Sequence, residues 1–185
     1  MDIIIKKIEL EDLGNLTEID DSFHIDSKLV LSMVDNTIAY TVKDIPSYKK
    51  SYLEDSYIEN QEDVQDYREY IDNPNKVMFL AFMNQHLIGQ VIVKRHWNGF
   101  AYVEDIKVDK QFRKLGVGKR LLEKVKFWTQ ANEMPGIMLE TQTNNVGACK
   151  FYEKSGFVIG GFDFLIYKGI HAESDEAAIY WYLRF

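Results

Sequence analysis

YVEDIKVDKQFRKLGVGKRLLEKVKFWTQAN, residues Tyr102 to Asn132, changes its hydrophobic rhythm partway along. Tyr102, Val103, Ile106 and Val108 are β-branched, aromatic or aliphatic residues set among polar ones, which predicts a strand. The pattern breaks at Asp109 to Leu115, and Gly116-Val117-Gly118 follows. Leu121, Leu122, Val125 and Trp128 then recur at spacings of three and four, which places them on one face of a helix. Strand, glycine loop and helix thus follow one another without a gap.

Working outward, Lys76 to Met83, Leu87 to Lys94 and Phe100 to Val108 read as three strands. Asn84-Gln85 and Trp97-Asn98-Gly99 join them as hairpin turns, giving an antiparallel meander. Pro135-Gly136 ends the helical pattern, and Ile137 to Thr141 is a further strand. A strand, loop, helix, strand sequence predicts a right-handed β-α-β crossover with this strand parallel to Phe100 to Val108. Asn144 to Ser155 is a second helix stopped by Gly156, and Phe157 to Lys168 and Ala177 to Phe185 are closing strands.

Toward the N-terminus, Ile3, Ile4, Ile5 and Ile8 suggest a first strand. Asp12 to Asp21 is a short helix or turn with Leu13, Leu16 and Ile19 inward. Alternation at Leu29, Leu31, Met33 and again at Ile38, Tyr40, Val42 predicts a hairpin across Asp35-Asn36, closed by Pro46. Val64, Tyr67 and Ile71 put a helix over Glu59 to Asp72, stopped at Asn73-Pro74. The expected class is α+β.

The glycine loop suggests a bound anion. The first amides of a helix lack intrahelical partners and carry partial positive charge, and Gly116 and Gly118 let a phosphate approach the backbone. Arg113, Lys114, Lys119 and Arg120 add four cations. A P-loop is excluded, because Arg120 stands where its Ser/Thr belongs. Leu121 replaces the third glycine of a dinucleotide fingerprint.

A second block, Asn145-x-x-Ala148-x-x-x-Tyr152-x-x-x-Gly156-Phe157, follows one strand later. Ala148 and Tyr152 share a helix face, and Gly156 sits where a left-handed cap belongs. With Arg113-x-x-Gly116-x-Gly118, this block resembles the signatures of the Gcn5-related N-acetyltransferases, over roughly Phe100 to Phe157. The resemblance implies one domain over residues 1–185: a twisted, mixed, largely antiparallel sheet with helices on both faces around a central β-α-β unit. Residues 100–157 would form its acetyl-coenzyme A core and residues 23–75 its variable, substrate-side segment.

It also implies roles. Backbone of Arg113, Lys114, Leu115, Gly116, Val117, Gly118 and Lys119 would hold the pyrophosphate, Ile106, Lys107 and Val108 the pantetheine arm, and Asn145, with Ala148 on the same helix, that arm from the second helix. Tyr152 would protonate the departing thiolate. Transfer is direct in the family, so an acetylated Cys149 is not expected. An amine attacks only when neutral, so a base is needed. Strand alternation groups Glu104 with Tyr102, Ile106 and Val108, where apolar neighbours would raise its pKa. Glu104 is the favoured base, and Asp105 is the alternate or a ligand for the substrate ammonium.

Ala101 to Ile106, Met138 to Gln142, Ala148 to Tyr152 and the terminal Trp181-Tyr182-Leu183-Arg184-Phe185 resemble the streptothricin-acetylating branch of the family. That likeness implies a small cationic amine acceptor, streptothricin acetylated on its β-lysine amine, and antibiotic resistance. The eight carboxylates between Glu54 and Asp72 would suit a polycation. Polyamine, peptide or protein acceptors, and a silent acetyl-coenzyme A-binding module, remain the alternatives.

Charge agrees with this. Lys plus Arg is 22 against 29 for Asp plus Glu, a net −7 that disfavours nucleic acid. The single Cys149 leaves no partner for an internal disulfide and no multi-cysteine zinc site, and the four histidines lack metal spacing. No run is long or apolar enough for a membrane span or signal peptide, which predicts a cytoplasmic protein. Whether it forms a homodimer stays open.

Overall fold

A computed structural model describes residues 2–51, 66–170 and 172–185. The chain divides into two compact units, Met1–Phe23 with Ser51–Ile137, and His24–Lys50 with Met138–Phe185.

In the first unit, β1 (Ile4–Lys7), β4 (Lys76–Met83), β5 (His86–Arg95) and β6 (Ala101–Val108) lie in that order, each antiparallel to its neighbour. Val77, Met78, Phe79, Leu80 and Ala81 are all buried, because both faces of β4 are covered. One face receives helix α1 (Val117–Ala131) through Leu121, Leu122, Val125 and Trp128. The other packs on a cluster of Ile8, Ile19, Tyr70, Met78, Leu80, Leu87 and Ile92, flanked by Leu13 and Leu16. Fully burying each such Leu or Ile contributes roughly 1.5–3 kcal/mol. Asn84 and Gln85 both adopt positive φ, 49° and 67°, as the two-residue turn between β4 and β5 requires.

One irregularity matters for function. In the β5–β6 register Ile92 faces Asp105 and Val93 faces Val103, so Glu104 has no opposite number. Glu104 is a β-bulge, and simple alternation fails there.

The second unit holds β2 (Phe23–Val34) and β3 (Thr37–Lys50) as a long hairpin. Asp35 and Asn36 turn it with φ of 48° and 58°. It also contains β7 (Gly136–Gln142) from Met138 onward, β9 (Ala178–Arg184) and β8 (Val158–Asp163), neighbours in that order, and helix α2 (Val146–Lys154).

Three expectations change. Pro46 does not close the hairpin but lies inside β3, where a two-stranded ribbon leaves an outer edge that needs no amide donor. The strand from Phe157 ends at Asp163 and not at Lys168. The Asp163 carboxylate accepts from the amides of Leu165 at 2.7 Å and Ile166 at 3.1 Å and turns the chain into a short 3-10 helix, Ile166–Gly169. Of the expected helix over Glu59 to Asp72, the described part is only a 3-10 turn, Tyr67–Tyr70, capped by Asp66, which accepts from the Arg68 amide at 3.0 Å. Val64 and the carboxylates from Glu54 to Asp63 lie outside the described residues. Among the described residues no helix is long and apolar enough to cross a membrane.

Candidate active site

The glycine loop is built by close packing. A Cβ on Gly89 of β5 would stand 2.9 Å from the Lys107 carbonyl oxygen and 3.2 Å from Val117, so only glycine lets the start of α1 sit this near the sheet. Helix α1 begins at Gly116 in the left-handed region, φ 82°, with no side chain capping its first amides. Lys114 is also left-handed, φ 65°. An uncapped helix start behind two left-handed residues presents successive N-H groups to an anion.

The cations divide into two kinds. The Arg113 guanidinium faces the scaffold: Nε donates to the Val108 carbonyl at 3.0 Å, Nη1 to that of Ser22 at 2.8 Å and Nη2 to that of Asp21 at 2.7 Å. Arg120 donates to the Ile3 carbonyl at 3.2 Å. Lys114, Leu115 and Lys119 are exposed, whereas Val117 is core. The two lysines are therefore the charges that can meet a phosphate, while Arg113 ties the loop to the segment before β2.

The bulge redistributes the two carboxylates. Glu104 has polar partners. It accepts from the Tyr70 hydroxyl at 3.0 Å and forms an ion pair with Lys94. Asp105 accepts from Gln90 Nε2 at 2.8 Å, with Lys107 Nζ at 3.6 Å. Burial pushes the Asp105 carboxyl above the ordinary carboxylate range, Lys107 and Gln90 oppose this, and the charge on Asp21 adds to it. Tyr70 belongs to the cluster that contains Ile92, and Gln90 lies two residues from Ile92. Both carboxylates thus turn toward that face of the sheet. Ile106, Lys107 and Val108 pair with Val91, Gln90 and Gly89.

In the second unit, Asn145 caps α2, its Oδ1 accepting from the Ala148 amide at 3.1 Å. Gly156 ends the helix with φ 91°. Tyr152 is buried, with its ring edge-on to Phe157 at 5.6 Å and near Phe151 and Trp181. Trp181 Nε1 donates to Thr141 Oγ1 at 2.9 Å, and Thr141 lies 3.3 Å from Cys149 Sγ. Burial pushes the Cys149 thiol up to about 11, so it is held protonated and is a poor nucleophile. Among the described residues no group of His, Cys, Asp or Glu is placed to hold a metal ion.

Sequence reading missed Gly89, Gln90, Tyr70 and Asp21. Gly89-Gln90 did carry a signal, since a glycine and an amide inside the apolar run Leu87 to Val93 imply close approach and a buried partner.

An α+β sheet whose bulged strand runs into an uncapped glycine turn and helix, with two acids beside the bulge, has the architecture of an acyl-group transferase. The chain belongs to the acetyltransferase (GNAT) family, whose sequence pattern matches residues 45–157. It is 37% identical over 139 residues to streptothricin acetyltransferase A of Bacillus subtilis (strain 168), covering 75% of this chain and 80% of that one. It is 32% identical over 172 residues to the Escherichia coli streptothricin acetyltransferase, covering 93% and 91%. A Bacillus anthracis str. Ames protein solved in complex with acetyl coenzyme A, provisionally assigned as a streptothricin acetyltransferase, is 54% identical with a TM-score of 0.91 over the full length of both chains.

Proposed function

We propose that this chain transfers the acetyl group of acetyl-coenzyme A directly to the β-lysine amine of a streptothricin-type antibiotic, neutralising an ammonium group and so conferring resistance. The observation that carries this reading is the extent of the likeness to the E. coli streptothricin acetyltransferase, 93% of the chain, well beyond the residues 45–157 that the family shares. A cytoplasmic location goes with it, since acetyl-coenzyme A is a cytoplasmic metabolite.

The uncapped α1 start, Gly116, and the exposed Lys114 and Lys119 fit a diphosphate, and these residues with Gly118 would hold the co-substrate. Acetyl-coenzyme A supplies the acetyl group as a thioester. Asp105, whose affinity for a proton is raised by burial, accepts the proton of the acceptor ammonium, and the freed amine forms the new N–C bond. Glu104, between Tyr70 and Lys94, holds and orients the acceptor's charge. The Tyr152 hydroxyl gives a proton to the sulfur as the C–S bond breaks. Residues 23–75 serve the acceptor and residues 100–157 the co-substrate.

Coenzyme A thiol release, followed with streptothricin, spermidine, lysine and an N-terminal peptide as acceptors, tests the assignment. Streptothricin should give the highest kcat/KM. A higher value for spermidine or the peptide would reassign the acceptor. No release with any of them, in protein that binds acetyl-coenzyme A, would make the chain a binding module.

A further inference from the structure

Asp21 is a carboxylate that the fold buries. It is 5% exposed, and its Oδ1 accepts from Ser51 Oγ at 2.7 Å. Among the described residues its Oδ2 has no hydrogen-bond partner. The nearby cations are engaged otherwise. Arg113 grips the main-chain carbonyls of Asp21 and Ser22, and Lys110 pairs with Asp20 at 2.6 Å. The segment is held from several sides, since the Asp20 amide also donates to Asp109 at 3.3 Å and the Lys110 amide donates to the Asp20 carbonyl at 3.0 Å. An underbonded buried carboxylate is unfavourable, and such groups concentrate where a ligand completes them. The charge on Asp21 also reaches Asp105.

We propose that Asp21, held by Ser51, is a receptor for a second ammonium group of the acceptor. The enzyme then prefers molecules with two amines a short alkyl chain apart, one neutralising Asp21 while the other meets Asp105. This deepens, and rests on, the acceptor reading above.

The test is steady-state kinetics with streptothricin on the wild type, Asp21→Asn and Ser51→Ala. A charge-assisted hydrogen bond lost on binding predicts a streptothricin KM raised about 10- to 100-fold in Asp21→Asn, and less in Ser51→Ala, with the acetyl-coenzyme A KM and melting temperature retained. The pH profile adds a readout that a merely structural residue would not move. With Asp21 neutral, the charge that raises the Asp105 carboxyl is gone while Lys107 still lowers it, so its proton is lost more easily and the acidic limb of kcat/KM moves to lower pH. A folded Asp21→Asn enzyme with unchanged KM and unchanged acidic limb overturns the inference alone. If Asp21→Asn fails to fold, an unchanged KM in Ser51→Ala does the same. A wild-type protein that neither binds nor acetylates streptothricin overturns the acceptor reading and this inference with it.

Discussion

Arg113 Nη2 donates a 2.7 Å hydrogen bond to the carbonyl oxygen of Asp21, a residue 92 positions earlier in the chain. With its bonds to Val108 and Ser22, this makes Arg113 the tie between the glycine loop and the segment leading to β2. Arg113→Gln removes the charge and leaves three carbonyls short of a donor. The expected loss is about 2 kcal/mol, or a melting temperature lower by roughly 4–8 °C. Calorimetric melting checks this, and an unchanged transition would show that the tie is dispensable.

Gly89→Ala tests how closely α1 must approach the sheet. The added methyl meets the Lys107 carbonyl oxygen at 2.9 Å and the Val117 side chain at 3.2 Å, neither of which can swing away freely. Overpacking of this kind costs about 1–3 kcal/mol and lifts the helix start from its place. The KM for acetyl-coenzyme A should rise while the Asp105 chemistry, read from the pH profile, stays as in the wild type. An unaltered KM would detach the helix start from co-substrate binding.

The meander, the glycine loop and both helices were legible because each rests on local rules: alternation, helical spacing and turn residues such as Asn84-Gln85. The environments of the acids were not. A bulge at Glu104 leaves no mark in the alternation of Tyr102 to Val108, since nothing in the strand says which residue its neighbour will skip. Asp20-Asp21 reads as the end of a short helix or turn, and the contacts that Arg113 and Ser51 make with Asp21 come from 92 and 30 positions away. Pro46 reads as a strand end unless one knows that, among the described residues, β3 pairs with β2 alone.

Asp105 supplies the pH test. Its carboxyl titrates above its ordinary value of 3.8, and the carboxylate is the active form, so kcat/KM should climb with pH through that raised value. Between the two values the folded chain binds more protons than the unfolded one, so ionising Asp105 lowers stability as pH rises. Asp105→Asn should therefore lose about 10²- to 10⁴-fold in kcat yet melt no lower than wild type at neutral pH. Glu104→Gln, which loosens the Lys94 pair, should act mainly on the acceptor KM. The reverse assignment of effects would exchange their roles.

Tyr152 and Cys149 separate in the same way. Tyr152→Phe keeps the ring among Phe151, Phe157 and Trp181 and removes only the hydroxyl, so kcat should fall about 10- to 1,000-fold with co-substrate affinity kept. Cys149 is fully buried and protonated up to about 11. Iodoacetamide should leave it unmodified in the native protein at mildly alkaline pH, and Cys149→Ala should lose roughly 1 kcal/mol of stability with kcat retained. Rapid alkylation with loss of activity would bring a covalent route back.

Mass spectrometry of streptothricin incubated with the protein and acetyl-coenzyme A tests the central claim most directly. The account predicts one added acetyl group, located by fragmentation on the β-lysine amine, formed in equal amount to the free coenzyme A thiol. Unmodified antibiotic beside released thiol, or an acetyl group elsewhere on the molecule, would contradict it.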